Sequence, residues 1–334
     1  MRIEDSPVAT VVITGAFSYT GKYATRLLLK RGYKIRTLTF HPERENEFGG
    51  KVEVFPYNFQ DPGKLDRSLR GASRLINTYW VRFPHGDSTF DRAVRNTITL
   101  IDTAKKAGIR RIVHVSIANP SLGSPLAYYR GKAQLEQAVI NSGLSYSILR
   151  PTVIFGQEDI LINNIAWFVR HFPLFGIPGY GCCGVRPIFV EDMARLIADA
   201  VEKQTNEVID AIGPETFTFE ELVRLISTKL VKPIHIVHMP ALLAYLSTRL
   251  VGLFMKDIVL TWEEYKGLMS NLLAPQGHST GETRLAQWLS QNSKHIGRHY
   301  ASEVERHFRQ GRRIGVAHVP QKAQTCADKP TATS

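Results

Sequence analysis

Tyr128 and Lys132 stand four residues apart in the segment AYYRGK, a spacing that puts them on one face of a helix. A cationic lysine favours the phenolate of a nearby tyrosine. The phenol can then exchange a proton with a carbonyl or alcohol while a nicotinamide ring gives or takes hydride. Ser124 and Pro125 read as the N-cap and first residue of that helix. Such chemistry needs a dinucleotide, and the segment TGAFSYTG (residues 14–21) is built to hold one. Gly15 permits a tight turn, Gly21 permits close helix packing, and the backbone around Phe17, Ser18, Tyr19 and Thr20 can offer N–H groups to a pyrophosphate. Ser18 stands where such a loop has its middle glycine. Its side chain narrows the approach, although its hydroxyl can itself donate a hydrogen bond. The bland alternatives are a packed tyrosine with a solvated lysine, and an ordinary glycine turn.

The elements that must position these residues follow from the hydrophobic pattern. Residues 8–14 read as a strand and 20–31 as a helix stopped by Gly32. Further strands are expected at 33–39, 52–57, 74–79, 111–116 and 145–150, and helices near 62–69, 90–107 and 134–140. Strands alternating with helices imply an α/β fold, a doubly wound parallel Rossmann sheet. The expected division is a dinucleotide-binding domain at 1–155, a smaller interleaved substrate domain over most of 156–313, and a disordered tail at 314–334. A strand at 207–213 returns to the main sheet. Thr218 reads as the cap of a helix reaching residue 229, and Glu191 with Asp192 as first-turn acids of another. Residues 240–255, apolar apart from Arg249, are expected to form a helix buried between domains; resting on a membrane or partner is the alternative.

In such a sheet ligands lie at the C-terminal strand ends. Strand two ends without the acid that binds a ribose 2′-hydroxyl, so NADP(H) is favoured slightly over NAD(H), with Arg36, His41 and Arg44 as candidate 2′-phosphate partners and Phe40 in the most natural place for an arginine. Asn58, Phe59, Asn77, Thr78, Lys132 and Pro151 complete the expected cofactor contacts. The loop NTYWVRFPHG then offers a substrate pocket: Tyr79 and Trp80 as aromatic walls, Arg82 and His85 for a carboxylate or phosphate, with Gln157, Asp159 and Asn163 facing the same cleft. Equally, Trp80 and Phe83 can pack on the second domain.

Taken together, the TGxxxxTG loop, HVSI, YYRGK, LRPTVIFG and PIFVEDMA resemble the extended and atypical short-chain dehydrogenase superfamily. The likeness spans residues 8–213 and is nearest the NmrA-like and complex I accessory-subunit-like branches, many members of which are named as NAD-dependent epimerase/dehydratase or NAD(P)H-binding proteins. It implies a dinucleotide at Gly15 to Gly21 and catalytic positions for Tyr128 and Lys132. The superfamily's catalytic Ser or Thr lies just past strand five, where this chain has Ser116, with Asn119 and Ser121 as substitutes.

Composition narrows the alternatives. With 334 residues, 43% hydrophobic and 22% charged, the chain has ordinary globular make-up. Cys182, Cys183 and Cys326 show neither metal-ligand spacing nor a disulfide framework, so no metal is expected, and the side-by-side Cys182 and Cys183 lack a clear source of a lowered thiol pKa. The formal charge of +12 is partly concentrated at 298–313, which reads as a solvated basic helix; no nucleic-acid motif accompanies it, and no nucleic-acid partner is expected. Without a secretory signal or an apolar run of about 20 residues, a cytoplasmic location is expected. The leading expectation is an NAD(P)-dependent oxidoreductase or epimerase acting on a small carbonyl or alcohol. The rival is a non-catalytic NADP(H)-binding regulator or assembly subunit, able to meet a membrane or a protein through 240–255 and 298–313.

Overall fold

The computed structural model describes residues 9–308. The first half alternates as the apolar pattern requires: β1 (Thr10–Thr14), α1 (Tyr19–Lys30), β2 (Lys34–Thr39), β3 (Val52–Pro56), α2 (Pro62–Leu69), β4 (Arg74–Asn77), α3 (Phe90–Lys106), β5 (Arg111–Val115), α4 (Ala127–Asn141) and β6 (Ser145–Pro151). The chain then leaves the sheet through β7 (Ile154–Phe155), α5 (Leu161–His171), β8 (Leu174–Pro178), β9 (Gly184–Val185), β10 (Ile188–Phe189) and α6 (Val190–Glu202). It rejoins at β11 (Glu207–Ala211), which pairs in parallel with β6. Beyond lie β12 (Phe217–Thr218), α7 (Phe219–Leu230), β13 (His235–Met239), α8 (Ala241–Met255), α9 (Trp262–Met269), α10 (Leu285–Asn292) and α11 (Glu303–Phe308).

The seven-stranded sheet runs β11-β6-β5-β4-β1-β2-β3, parallel throughout. Val11, Val12 and Ile13 of β1 are fully buried, because helices cover both faces and a parallel strand then needs apolar side chains on each. Ala24 and Leu28 of α1 share one cluster with Met193 and Ile197 of α6. Leu65, Leu100 and Val139 from α2, α3 and α4 pack on the opposite face. A third cluster, around Phe155, Ile162, Leu222, Ile226 and Trp288, joins α5, α7 and α10 beside the sheet. Strand order reverses between β1 and β4, so the loops after these two strands diverge and open a cleft at the sheet's C-terminal edge.

Three local expectations are corrected, and Asp192, a first-turn acid of α6 as expected, proves to hold a second segment as well. The helix bearing Tyr128 starts at Ala127, with Leu126 and not Ser124 at its N-cap. Its first-turn N–H groups at Ala127 and Tyr128 donate to the two carboxylate oxygens of Glu263, at 3.0 and 2.8 Å, so the cap comes from α9. α8 forms over the expected residues but is not buried between domains: Leu242, Leu243, Leu246, Leu250, Leu253 and Phe254 are each more than half exposed. The basic segment at 298–313 is helical only from Glu303 within the described residues, and its Arg306 packs on Tyr19 instead of facing water; 309–313, like the expected tail at 314–334, lie outside the described residues. Asp192 accepts from the backbone N–H groups of Glu282 and Thr283 at 2.9 and 2.8 Å. Thr218, by contrast, closes a reciprocal capping box with Glu221 at the start of α7.

Asp192 is 2% exposed, whereas Glu191 points outward. Asp192→Ala should therefore lower the unfolding free energy by about 3 kcal/mol in urea titration, since it leaves buried N–H groups unpaired, and Glu191→Ala by less than about 0.5 kcal/mol.

Candidate functional site

The turn after β1 is set by backbone contact. Gly15 has φ +71°, and a Cβ at Gly21 would lie 2.1 Å from the Gly15 carbonyl oxygen, so neither position admits another residue unchanged. Ser18, the departure from the glycine pattern, bends its hydroxyl back to donate to the Gly15 carbonyl at 2.7 Å. No side chain caps α1 at Ser18, so its first-turn N–H groups, from Tyr19 onward, keep their side-chain cap position open to an anion. A pocket of about 210 Å³ adjoins this turn, lined by Phe17, Lys22, Arg44 and residues 45–48. Among the described residues no ion pair engages Arg44, while burial and the Arg44 charge lower the His41 pKa. Arg36 lies elsewhere: its guanidinium pairs with Glu53 and donates to the carbonyls of Ser68 and Arg70.

Across the cleft, the loop after β4 is pinned to β1 by Thr14, whose hydroxyl accepts from the N–H groups of Thr78 and Tyr79 at 2.7 and 3.0 Å. Asn77 is fully buried and its amide is spent on Thr14 and on His114 Nδ1, at 3.1 and 3.0 Å. Pro151 is buried at the end of β6 and its carbonyl accepts from Ala118. Asn58 adopts φ +48° at the end of β3, beside the buried Phe59. Tyr79 turns towards Tyr57 and Phe59, with ring centroids 5.1 and 5.2 Å away, and Phe40 completes that aromatic group while 58% exposed. Trp80 turns the other way, onto Phe90 and Tyr128. Sequence reading set Tyr79 and Trp80 in one wall; the structure divides them between two.

Tyr128 and Lys132 share a helix, and both meet the Trp80 ring. The Lys132 amine donates to the Val115 carbonyl at 3.0 Å and lies 4.7 Å from the Trp80 ring centroid. Burial lowers its pKa to about 7, opposed by Glu136. The Tyr128 ring meets Trp80 and Phe90 edge-on, and burial, with Tyr129 and Glu264, pushes its phenol above the ordinary value against the pull of Arg82. Burial is the largest cause of the shift at both residues. Gly131 makes the packing possible, since a Cβ there would lie 2.9 Å from the Trp80 ring. Ser116, just past β5, is 4% exposed, and its hydroxyl, like His114 Nε2, has no hydrogen-bond partner among the described residues. Asn119 is committed to the Leu272 carbonyl, and Ser121 is exposed.

Two of the residues expected to take a substrate, Arg82 and Asn163, are engaged by the chain itself. Arg82 pairs with Glu264 of α9 and Glu303 of α11. Asn163 exchanges hydrogen bonds with the backbone of Gly297 and His299, and Asn164 does so with Ala301. The Arg306 guanidinium sits 6.0 Å from the Tyr19 ring centroid and donates to the Glu158 carbonyl, with Asp159 acting on it. Gln157 and His85 are exposed. His85 exchanges backbone hydrogen bonds with Ser88.

These features fit a dinucleotide: a turn without room for side chains, open N–H groups, an adjoining pocket that holds Arg44, and a buried unpaired hydroxyl at Ser116. Comparison with known proteins agrees. A family profile described as NAD(P)H-binding matches residues 15–162. The mitochondrial NADH dehydrogenase (ubiquinone) 1 alpha subcomplex subunit 9 of Arabidopsis thaliana is 27% identical over 233 residues, 66% of this chain and 58% of its own. A photosystem II assembly factor of Cyanidium caldarium is 22% identical over 250 residues, 73% of this chain and 79% of its own. The triphenylmethane reductase of Citrobacter sp., complexed with NADP(H), superposes with a TM-score of 0.70 over 84% of this chain and 99% of that chain, at 17% identity. Residues 15–162 of this chain carry an NAD(P)H-binding domain, on a fold shared with that NADP(H)-complexed reductase. The chain spans about three fifths of the length of the mitochondrial relatives it matches.

Around the NAD(P)-binding domain, several residues that shape the cleft were not singled out from sequence: Thr14 as a loop anchor, Gly131, Glu158, Glu263, Glu264 and Arg306. Only Gly131 left a local signal, a glycine inside a helix where it costs about 1 kcal/mol against alanine. Asp159 supplies a test of the packing here. It is 3% exposed, and burial raises its pKa from 3.8 to about 7 despite the N–H of Ile162 and the charge of Arg306. The folded protein thus holds a proton that the unfolded chain has released between about pH 4 and 7, so this group's contribution to stability falls across that window as pH rises. Asp159→Asn should gain in melting temperature over the parent as pH rises from 4 to 7 and hold that gain above it; a pH-independent difference would mean that the carboxylate is solvated.

Proposed function

We propose that this chain binds NADP(H) in preference to NAD(H) and holds it as a fixed ligand of a regulatory or assembly protein, in place of turning over a small carbonyl substrate. The observation that carries this reading is the engagement of Arg82, Asn163 and the Glu158–Asp159 segment by residues 297–306. Groups that would fix a substrate carboxylate or phosphate already have partners, and displacing a charge-assisted pair costs more than displacing water. Support for the 2′-phosphate comes from Arg44, which no ion pair engages among the described residues although Glu45 and Glu47 line the same pocket, and from the missing acid at the end of β2. Two relatives, a subunit of one assembly and an assembly factor of another, also favour protein partners.

One observation favours a second reading, an oxidoreductase. Ser116 keeps a buried unpaired hydroxyl one residue from the carbonyl that binds Lys132. The nicotinamide ring, when bound, supplies or accepts hydride. In that reading Ser116 orients a substrate oxygen, Lys132 holds the cofactor ribose, and Tyr128 must leave its contacts with Trp80 and Phe90 to pass a proton to the same oxygen.

Fluorescence titration of the full chain should give at least about tenfold tighter binding of NADPH than of NADH, and Arg44→Ala should erase the difference. NADPH should not be oxidised by a panel of aldehydes, ketones and quinones. Oxidation that is abolished by Tyr128→Phe, with NADPH affinity retained, would establish the second reading; absence of binding to either nucleotide would defeat both.

A further inference from the structure

The side chains Leu242, Leu243, Leu246, Leu250, Leu253 and Phe254 are 51 to 80% exposed. At about 100° per residue they fall within one arc of about 120° on α8, with nothing from the described chain across it. The opposite side of the helix is fastened down: Ala244 is 5% exposed, a Cβ at Gly252 would lie 2.6 Å from the Asp257 carbonyl oxygen, and Tyr245 packs on Trp262 with ring centroids 4.9 Å apart. The face is therefore presented by a seated helix.

Two cations mark one border of that face. Arg249 and Lys256, seven residues apart, fall at its same edge and are exposed, and among the described residues no ion pair engages either. Trp262, 40% exposed, stands at this edge beside Tyr245, with the Lys266 amine 5.6 Å from its ring. An apolar stripe bordered by aromatic rings and unpaired cations is what a lipid headgroup boundary selects, because the rings sit at the interface while arginine and lysine extend towards phosphate. The net charge of +12 adds attraction to an anionic surface. At 15 residues the helix is about 22 Å long, too short for a hydrocarbon core of about 30 Å, and among the described residues no helix is long and apolar enough to cross a membrane.

We propose that α8 lies flat on an anionic lipid bilayer, its leucine face in the acyl boundary and Arg249 and Lys256 at the level of the phosphates. The nucleotide cleft is not needed for this contact, so the proposal stands apart from the functional reading above. The test is flotation of the full chain with vesicles of phosphatidylcholine alone or with about one third phosphatidylglycerol. The chain should float with the anionic vesicles, and less so as salt rises from about 0.1 to 1 M. Leu246→Glu with Leu250→Glu should cut the floated fraction at least about fivefold while leaving NADPH affinity and the melting curve unchanged, and Arg249→Glu with Lys256→Glu should weaken binding to anionic vesicles selectively. Failure to float with either vesicle would overturn the proposal, as would flotation untouched by the leucine pair. A dimer in sedimentation that the leucine pair dissociates, without flotation of the parent, would assign the face to a second copy instead. Because NADPH affinity is read in the same variants, loss of lipid binding and loss of nucleotide binding are separable.

Discussion

Two loops leave the sheet on either side of the β1/β4 reversal, and the cleft between them exists only while their separation is held. One hydroxyl does most of this. Thr14 Oγ1 is buried, directs its own proton to Asn77, and accepts from two successive N–H groups of the β4 loop. An apolar side chain of the same shape would leave the Thr78 N–H unpaired at about 1–3 kcal/mol and the Tyr79 N–H with Asn77 Oδ1 alone, loosening the β4 loop from the phosphate turn. Because the Thr14 carbonyl also accepts from Thr78 as the chain enters Gly15, the positive φ of the turn and the course of the aromatic loop are coupled through a single residue.

That coupling decides how the aromatic loop divides. With Tyr79 drawn down by its N–H to Thr14, its ring falls among Tyr57, Phe59 and Phe40, and the next residue must point the other way. Trp80 consequently lands over Lys132 and against Tyr128, where Gly131 leaves room for it. Burial lowers the pKa of that amine and raises that of the Tyr128 phenol, on which Tyr129, Glu264 and Arg82 act as well. Spacing along a helix brings two residues to one face; the direction of each side chain, set by what packs on that face, decides whether they interact.

The same distinction explains what could be read from sequence. The strands of the sheet, the phosphate turn and the return of residues 207–211 were legible because each is a local pattern: a β-branched run, a glycine at a fixed offset, a period of two or of 3.6. The start of α4 was misplaced by two residues because Ser124 and Pro125 carry a local capping signal, whereas the groups that satisfy the helix come from Glu263, more than a hundred residues away. Asn77 reads like a cofactor contact at a strand end, yet its partners, Thr14 and His114, become visible only once three strands are aligned. α8 misled in the opposite sense. Its apolar composition implies burial, and nothing local records that the rest of the described chain does not cover it.

The contacts made by α11 and the preceding turn follow a different economy from the apolar core. Glu303 is 6% exposed, Arg82 and Arg306 are half-buried, and Asp159 keeps a raised pKa even with a guanidinium nearby. Buried charge of this kind adds little net stability, because desolvation offsets most of the attraction, but it penalises strongly any arrangement that leaves one partner alone. Apolar packing would hold the segment as firmly and tolerate sliding. Charged groups tie it to three places at once, the phosphate turn through Tyr19, the β4 loop through Arg82 and the start of α5 through Asn163 and Asn164. Asp257 then fixes the helix by accepting from the N–H groups of Glu303 and Val304 and from the Tyr300 hydroxyl. The result is a closure of the cleft defined by direction more than by strength, and its position depends on the same β4 loop that Thr14 holds.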